Sequence, residues 1–474
     1  MSGIQPATAG AEIVVHLFDE LGDTPRPELA DIWPRLRALL AHWREFNQSE
    51  AAIRSQQHGI IRDGCFLMPS PFADTADVCT SSYFLRHRFC YLFTGEEKYF
   101  WITAQVDRGY ALATIYFPHR RVAVALYSFS IEPSMLGELD GMRAAIAKPE
   151  NGLPVVVTGY PQYMHVLWNE LSALEHAARD DLASRMEVAV LFEPFGPMTE
   201  LYPEFAARTK CVRYDAVTAL NQDHRLLIGL GGWTILEATQ RRVRRLARWL
   251  VAPELIAACD RFRAQFDPVF WLSVKPLPRT CLDQAAVLAR LIGGIRQEHP
   301  RAGFVLDGTS APWDAKTNPN YGQGFSEWLE TATRAIGEIV DGVFGQLAEN
   351  LRQAVEIVSG VSVCEEIVWG EAADFYICHG GTMQNKIGWM HRIPGLVHSN
   401  AKFLYFFKLM DPPVESGPAC FFLSEGLIAD APAENYSWME LQRKDQDYGF
   451  TDLDSVLREV LEAFDASRQV PSPC

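Results

Sequence analysis

The sequence predicts an α/β protein: two doubly wound domains in tandem behind an N-terminal α+β domain. Three observations predict it. From residue 153 onward, short apolar runs without polar alternation alternate with segments of helical period, the pattern of parallel strands covered on both faces. That pattern restarts after Phe266-Asp267-Pro268. Residues before 150 instead alternate apolar and polar positions in short runs joined by polar turns, as antiparallel hairpins do. The expected domains are therefore 1–150, an α+β appendage, then 151–265 and 266–474.

Composition agrees with this and excludes other classes. Of 474 residues, 48% are apolar and 22% charged, with 33 Gly and 28 Pro, which excludes disordered, collagen-like and coiled-coil chains. At roughly 150 residues per domain, the length fits three. Forty-three basic residues against 59 acidic ones leave a net charge of −16. A surface this acidic repels phosphate backbones, so nucleic acid is not an expected partner. The opening Met-Ser-Gly-Ile-Gln-Pro has no basic stretch leading into an apolar run, so no signal peptide is expected. No apolar stretch reaches bilayer length. Ten scattered cysteines, none in a Cys-x-x-Cys pair, read as reduced thiols of a cytoplasmic protein and argue against cysteine-held metal.

In the first domain, Leu29, Ile32, Trp33, Leu36, Leu39, Leu40 and Trp43 fall at helical spacing within 26–56. Strand-like runs follow at 83–85, 89–93, 99–104, 110–116 and 121–128, with turns at Gly-Glu-Glu-Lys (95–98) and Pro-His-Arg-Arg (118–121). His87, His119 and the arginines beside them read either as solvated turn residues or as a site.

In the second domain, strands are predicted at 153–157, 187–192 and 226–230, and helices at 164–178, 198–207 and 236–266. In the third, strands are predicted at 269–274, 303–306, 355–359, 375–378, 395–398 and 419–423. Its helices are expected at 281–297, at 325–353 as one or two, and at 453–466. Ligands of such sheets bind outside the carboxyl ends of strands, and two facing domains leave a cleft between them. No G-x-G-x-x-G, P-loop, G-x-S-x-G or H-E-x-x-H pattern is present, so a nicotinamide or flavin cofactor of the usual kind is not expected. The run 241–248, five arginines among Val243, Leu246 and Trp249 at helical spacing, reads first as the solvated face of an amphipathic helix. Docking of an acidic partner or lipid is the other reading.

The most specific segment is 374–400. A strand ends in His379-Gly380-Gly381-Thr382, a helical piece carries Asn385 and Lys386, and a second strand ends in His398-Ser399-Asn400. Glycines remove the Cβ atoms that would block an anion, and a helix start offers unpaired N–H groups and partial positive charge. Thr382 can cap the helix or donate to a phosphate oxygen, Lys386 adds a full charge, and His379 can donate to a diphosphate. A tight turn before a capped helix is the plainer alternative.

The stretch His379-Gly380-Gly381 with Asn385 resembles the donor loop of GT-B type glycosyltransferases. It is most similar to the family of plant xylosyltransferases and endoplasmic-reticulum O-linked GlcNAc transferases, where His-Gly-Ala-x-Leu-x-Asn contacts the diphosphate of a nucleotide sugar. Gly381 stands where the family has Ala. Residues 163–171, Tyr-Met-His-Val-Leu-Trp-Asn-Glu-Leu, resemble that family's aromatic-x-His-Trp…Glu-x-Leu segment, with Trp168 displaced. Lys275 and Arg279 stand where the family's diphosphate-binding arginines occur, and Asp283-Gln284 replaces its Asn-Glu. The resemblance spans 151–425 through short motifs. It implies two Rossmann-like domains facing a cleft and sugar transfer from a nucleotide-diphosphate sugar to a protein or glycan acceptor.

Departure of the diphosphate needs positive potential, from a metal or from fixed donors. Asp307 and Asp314 lie seven apart in a loop, poor support for a metal site. Lys275, Arg279 and the amides at 380–382 supply the charge instead, so no metal is expected. The base on the acceptor side is His165 or Glu170, five apart at a helix start; on an α-helix these point to different sides, and His165 is preferred because imidazole titrates near working pH. A capping His165 with a structural Glu170 is the alternative. Asp307, with Gly308-Thr309-Ser310 after its strand, is a candidate for base or ribose contact or an ordinary turn, and Ser399 or Asn400 for sugar or phosphate. Two other functions fit the same scaffold: a nucleotide-sugar epimerase, or a non-catalytic binding protein. Oligomeric state is left open.

Overall fold

A computed structural model describes residues 13–22, 26–94, 99–105, 110–127, 133–276, 279–409, 414–415, 417–431 and 447–469. The 95–98 turn, Leu277, Pro278, Cys474 and the opening hexapeptide lie outside them. The chain forms two compact units, Met1–Phe192 with Met198–Thr234, and Glu193–Pro197 with Ile235–Cys474.

The first unit holds two sheets. One has seven strands: β1 (Val14–Leu17), β2 (Phe66–Pro69), β3 (Ala76–Leu85), β4 (Arg88–Thr94), β5 (Tyr99–Gln105), β6 (Tyr110–Phe117) and β7 (Val122–Ala125). Their order is β1-β7-β6-β5-β4-β3-β2. All pairs are antiparallel except β1–β7. The helical pattern at 26–56 becomes two helices, Trp33–Phe46 and Glu50–Asp63, because Ser49 caps the second by accepting from Ala52 N–H. Leu36, Leu39, Leu40 and Trp43 are buried as that spacing requires.

The second sheet of this unit is parallel, in the order β10-β9-β8-β11. Its strands are β8 (Val155–Thr158), β9 (Glu187–Val190), β10 (Thr209–Cys211) and β11 (Leu227–Ile228). Its edge meets the antiparallel sheet at β3: the Ser82 hydroxyl donates to Leu227 O and accepts from Leu227 N–H, while Asn221 bonds both backbone groups of Phe84. Residues before 150 are thus stitched to the first parallel sheet.

The second unit is built on a six-stranded parallel sheet: β12 (Val269–Ser273), β13 (Gly303–Asp307), β14 (Val355–Val358), β15 (Phe375–His379), β16 (Gly395–His398) and β17 (Cys420–Phe422). The order is β14-β13-β12-β15-β16-β17, or 3-2-1-4-5-6 counted within the unit. That is the Rossmann order, and the first unit's 3-2-1-4 is its first part. β12, β13, β15 and β16 are buried at every position, as the unalternating apolar runs predict.

The helix predicted at 236–266 is two, Glu237–Leu250 and Pro253–Gln265, because Pro253 keeps Ala252 extended. Both belong to the second unit. Val243 and Leu246 are buried, but Trp249 is 68% exposed and falls outside the apolar face expected for it. The predicted 325–353 helix runs as Gly322–Gln346 and Glu349–Arg352, and the last helix is Leu453–Gln469. A small antiparallel pair, β18 (Ile428–Asp430) with β19 (Tyr448–Phe450), completes the unit. Among the described residues no helix is long and apolar enough to cross a membrane, and no disulfide joins the nine described cysteines to one another.

Candidate functional site

In the second unit the strand order reverses between β12 and β15, the position at which sheets of this kind bind ligands, at the carboxyl ends of parallel strands. β12 ends at Ser273 and β15 at His379. The Ser273 hydroxyl oxygen lies 2.8 Å from both the His379 N–H and the His379 Nδ1. His398, register partner of His379 on β16, packs beside it with ring centroids 4.5 Å apart and the planes tilted by 57°. Its Nδ1 is 2.6 Å from the Tyr448 hydroxyl. Both histidines are almost fully buried. Burial, His398 and the charges of Lys275 and Arg279 hold His379 well below the usual imidazole range. Burial, aided by Lys275, pushes His398 down to about 3.

The loop after β12 brings in the cations. Gln284 clips it, accepting from Lys275 N–H and donating to Lys275 O, so this side chain is spent on the backbone. Arg279 has a φ of +61° and sets its guanidinium 3.8 Å over the Phe403 ring. Residues 280–282 are strapped to β19 through Tyr448 N–H to Thr280 O and Leu282 N–H to Tyr448 O.

β15 passes into the Gly-Gly turn. Gly380 N–H donates to His398 O, and Gly381 adopts φ +103°, where a β-carbon would stand 3.7 Å from Arg279 Nη2. The arginine predicted to meet a diphosphate therefore lies against the turn predicted to hold it. Gly381 occupies the N-cap position, so Thr382 is the exposed first helical residue and does not cap. Only Thr382–Gln384 is α-helical; Asn385–Trp389 is a π-helix, a form common at functional sites. The Asn385 Oδ1 is buried without a hydrogen-bond partner among the described residues.

Lys386 turns away from this surface. Its ammonium donates to Asp307 Oδ1 (3.0 Å), Gly308 O (2.6 Å) and Ser310 Oγ (3.1 Å), and lies 2.7 Å from Glu366 Oε1. Asp307 is fully buried, its other oxygen accepting from Trp271 Nε1. Burial first, then the neighbouring Glu366 carboxylate, raises the Asp307 pKa well above the carboxylate range, with Lys386 opposing. Lys386 and Asp307, expected at phosphate and at base or ribose, are instead partners in an ion cluster that ties the π-helix to the end of β13. Asn400 accepts from Phe403 N–H and so caps the helix Ala401–Leu409, while Ser399 is buried. Asp314 binds Glu193 N–H, Asn318 and Tyr321. Among the described residues no cluster of His, Cys, Asp and Glu could hold a metal ion.

The first unit has a similar turn at its own switch point, between β8 and β11. Gly159 has φ +93°, and a β-carbon there would stand 2.4 Å from Phe192 N. A short helix, Tyr163–His165, leads into a π-helix, Val166–Leu171. His165 ends the short helix and Glu170 lies within the π-helix, so a uniform α-helical phase does not relate them. The Glu170 carboxylate, itself buried, accepts from the Thr158 hydroxyl (2.7 Å) and Gly159 N–H (2.6 Å). His165 Nδ1 lies 3.0 Å from Asn169 Oδ1, and Asn169 Nδ2 donates to Gly232 O. His87, on the β3–β4 turn, packs against Tyr160 and Tyr214 and lines a cavity of about 20 Å³ with Thr158, Gly159 and Glu170. His119 is an exposed turn residue, next to an Arg120–Asp31 ion pair.

Ser273, Asn169 and Glu366 are missed by the sequence reasoning. A hydroxyl closing the apolar strand Val-Phe-Trp-Leu-Ser is a signal that could have marked the first. The others have no local signature.

No protein-family model and no curated protein matches this sequence. Among solved structures, the chain is similar to ADP-heptose LPS heptosyltransferase II of E. coli, at 9% identity and TM-score 0.36 over 67% of this chain and 100% of that one. Anabaena Alr3699/HepE in complex with UDP-glucose matches at 10% and 0.28, over 67% and 93%. The UDP-GlcNAc 2-epimerase of Methanocaldococcus jannaschii matches at 14% and 0.28, over 61% and 70%. At such scores the strand order itself remains the ground for the fold, and the narrower family resemblance rests on the short motifs.

Proposed function

We propose that this chain is a GT-B type glycosyltransferase that moves a sugar from a nucleotide-diphosphate sugar to a protein or glycan acceptor without a metal. The observation that carries the reading is the meeting of Arg279 with the Gly380-Gly381 turn at the β12/β15 switch point, with Lys275 and His379 alongside. Gly380 N–H is taken by His398 O, so the fixed cations and the amides of Gly381 and Thr382 are what stabilise the charge that grows on a departing diphosphate.

His165 is the preferred base. Asn169 donates its amide N–H to Gly232 O, so its Oδ1 faces His165 Nδ1 and that nitrogen carries the proton. The Nε2 lone pair is left to accept a proton from an acceptor hydroxyl. Glu170 is engaged by Thr158 and Gly159, which fits support of the turn better than proton transfer.

Incubation with a panel of nucleotide sugars tests this. Slow release of nucleotide with free sugar supports a transferase. Conversion of the donor to an epimer, or binding with no turnover, overturns it in favour of an epimerase or a binding protein.

A further inference from the structure

Ser273 holds His379 in two ways. The backbone N–H of His379 can only donate, so at 2.8 Å the Ser273 oxygen accepts there. Its own hydroxyl hydrogen is then available to the second neighbour, His379 Nδ1, also at 2.8 Å. A neutral imidazole that accepts at Nδ1 carries its proton on Nε2. The His379 Nε2 is buried and has no hydrogen-bond partner among the described residues. A buried donor left unpaired costs about 1–3 kcal/mol, and such groups call for an explanation, a catalytic role among them. Ser273 is itself 1% exposed and closes β12, the strand paired with β15 at the switch point.

We propose that Ser273 is a positioning residue: it fixes His379 as the Nε2–H tautomer, so that a neutral hydrogen-bond donor faces an oxygen of the bound diphosphate. The assignment rests on the diphosphate reading of this site. A neutral donor adds direction without the hydration cost of another charge, and Lys275 and Arg279 already supply positive potential.

The test uses the full chain labelled with ¹⁵N-histidine, with His379→Asn to identify the resonance, and calorimetric titration of inorganic pyrophosphate at about pH 6 and about pH 8. In the wild type, His379 is expected as the Nε2–H tautomer at both pH values. Ser273→Ala should lose the single tautomer and weaken pyrophosphate binding about tenfold, consistent with one hydrogen bond. Ser273→Thr, which keeps the hydroxyl, should restore both. An Nδ1–H tautomer in the wild type, or an Ala variant with unchanged tautomer and affinity, overturns the assignment. A wild type that does not bind pyrophosphate overturns the diphosphate reading itself. The tautomer, read without ligand, tells that failure apart from failure of the Ser273 assignment.

Discussion

At the end of β8 the chain turns through Gly159, forms one short helix and widens into a π-helix; at the end of β15 it does the same through Gly381. The two turns differ in charge. In the first, the buried Glu170 carboxylate accepts the Gly159 N–H, so an internal anion occupies the place where a phosphate would sit. In the second, no such carboxylate enters among the described residues: Lys386 is drawn down to Asp307 and Glu366, and Arg279 closes on the glycine. The histidines differ in step. His165 carries its proton on Nδ1, toward Asn169, and keeps a basic Nε2. His379 accepts on Nδ1 from Ser273 and turns an N–H outward from that bond. On the proposed reading, one local architecture serves a proton acceptor in one unit and an anion-facing donor in the other, and the neighbours that set this are four or more residues away.

The largest expected effect tests the first member of this contrast. His165→Ala should lower kcat by about 10²–10⁴, the usual contribution of a general base, and leave donor KM within a few-fold. A change confined to KM would remove His165 from proton transfer. Next comes the ion cluster under the second turn. Lys386→Met leaves the buried Asp307 and Glu366 pair without its cation and should cost about 3–5 kcal/mol, read by urea unfolding. A loss below about 1 kcal/mol, the range of a surface pair, would mean the cluster is solvated.

Arg279→Ala should weaken nucleoside-diphosphate binding by about 10- to 100-fold, as loss of a charge-assisted hydrogen bond of about 1.5–3 kcal/mol implies. Unchanged affinity would separate the arginine from the ligand. The two glycines sharpen the contrast further. Gly159→Ala places a methyl 2.4 Å from backbone and should prevent stable folding, whereas Gly381→Ala, with nothing closer than 3.7 Å, should cost only the strain of its positive φ, about 1–3 kcal/mol. Equal losses by thermal unfolding would contradict this.

The smallest effect is on pH. Burial holds His391 and His398 at about 3 in the folded chain, against about 6.5 when unfolded. Between these values the unfolded chain binds more protons, so each neutral ring favours folding less as pH falls from about 6.5 toward 3. His391→Phe should therefore flatten the loss of stability between about pH 6.5 and 5 relative to wild type. An unchanged slope would show that His391 protonates in place.

Sequence reading reached the strands because parallel strands buried on both faces must be apolar throughout, and 303–306 or 395–398 have no other stable placement. It reached the Gly380-Gly381 turn because a backbone at positive φ selects glycine. It placed Lys386 wrongly on the ligand surface, since the partners that bury it, Asp307 and Glu366, lie 79 and 20 residues away by number. It also assumed one α-helical phase from His165 to Glu170, where a π-helix begins at Val166.

Local chemistry alone therefore determined the strand runs, the glycine turn and the amphipathic face that buries Val243 and Leu246, and also the helix break before Pro253, which the single helix read over 236–266 overlooked. Those follow from sterics and burial over a few residues. Protonation and charge were decided only when distant strands came side by side. Ser273 reaches His379 across β12 and β15, and Asp307 meets Lys386 and Glu366 beneath β13. A proton's place and a buried charge's partner depend on what stands within about 3 Å, and in a parallel sheet those neighbours are remote in sequence.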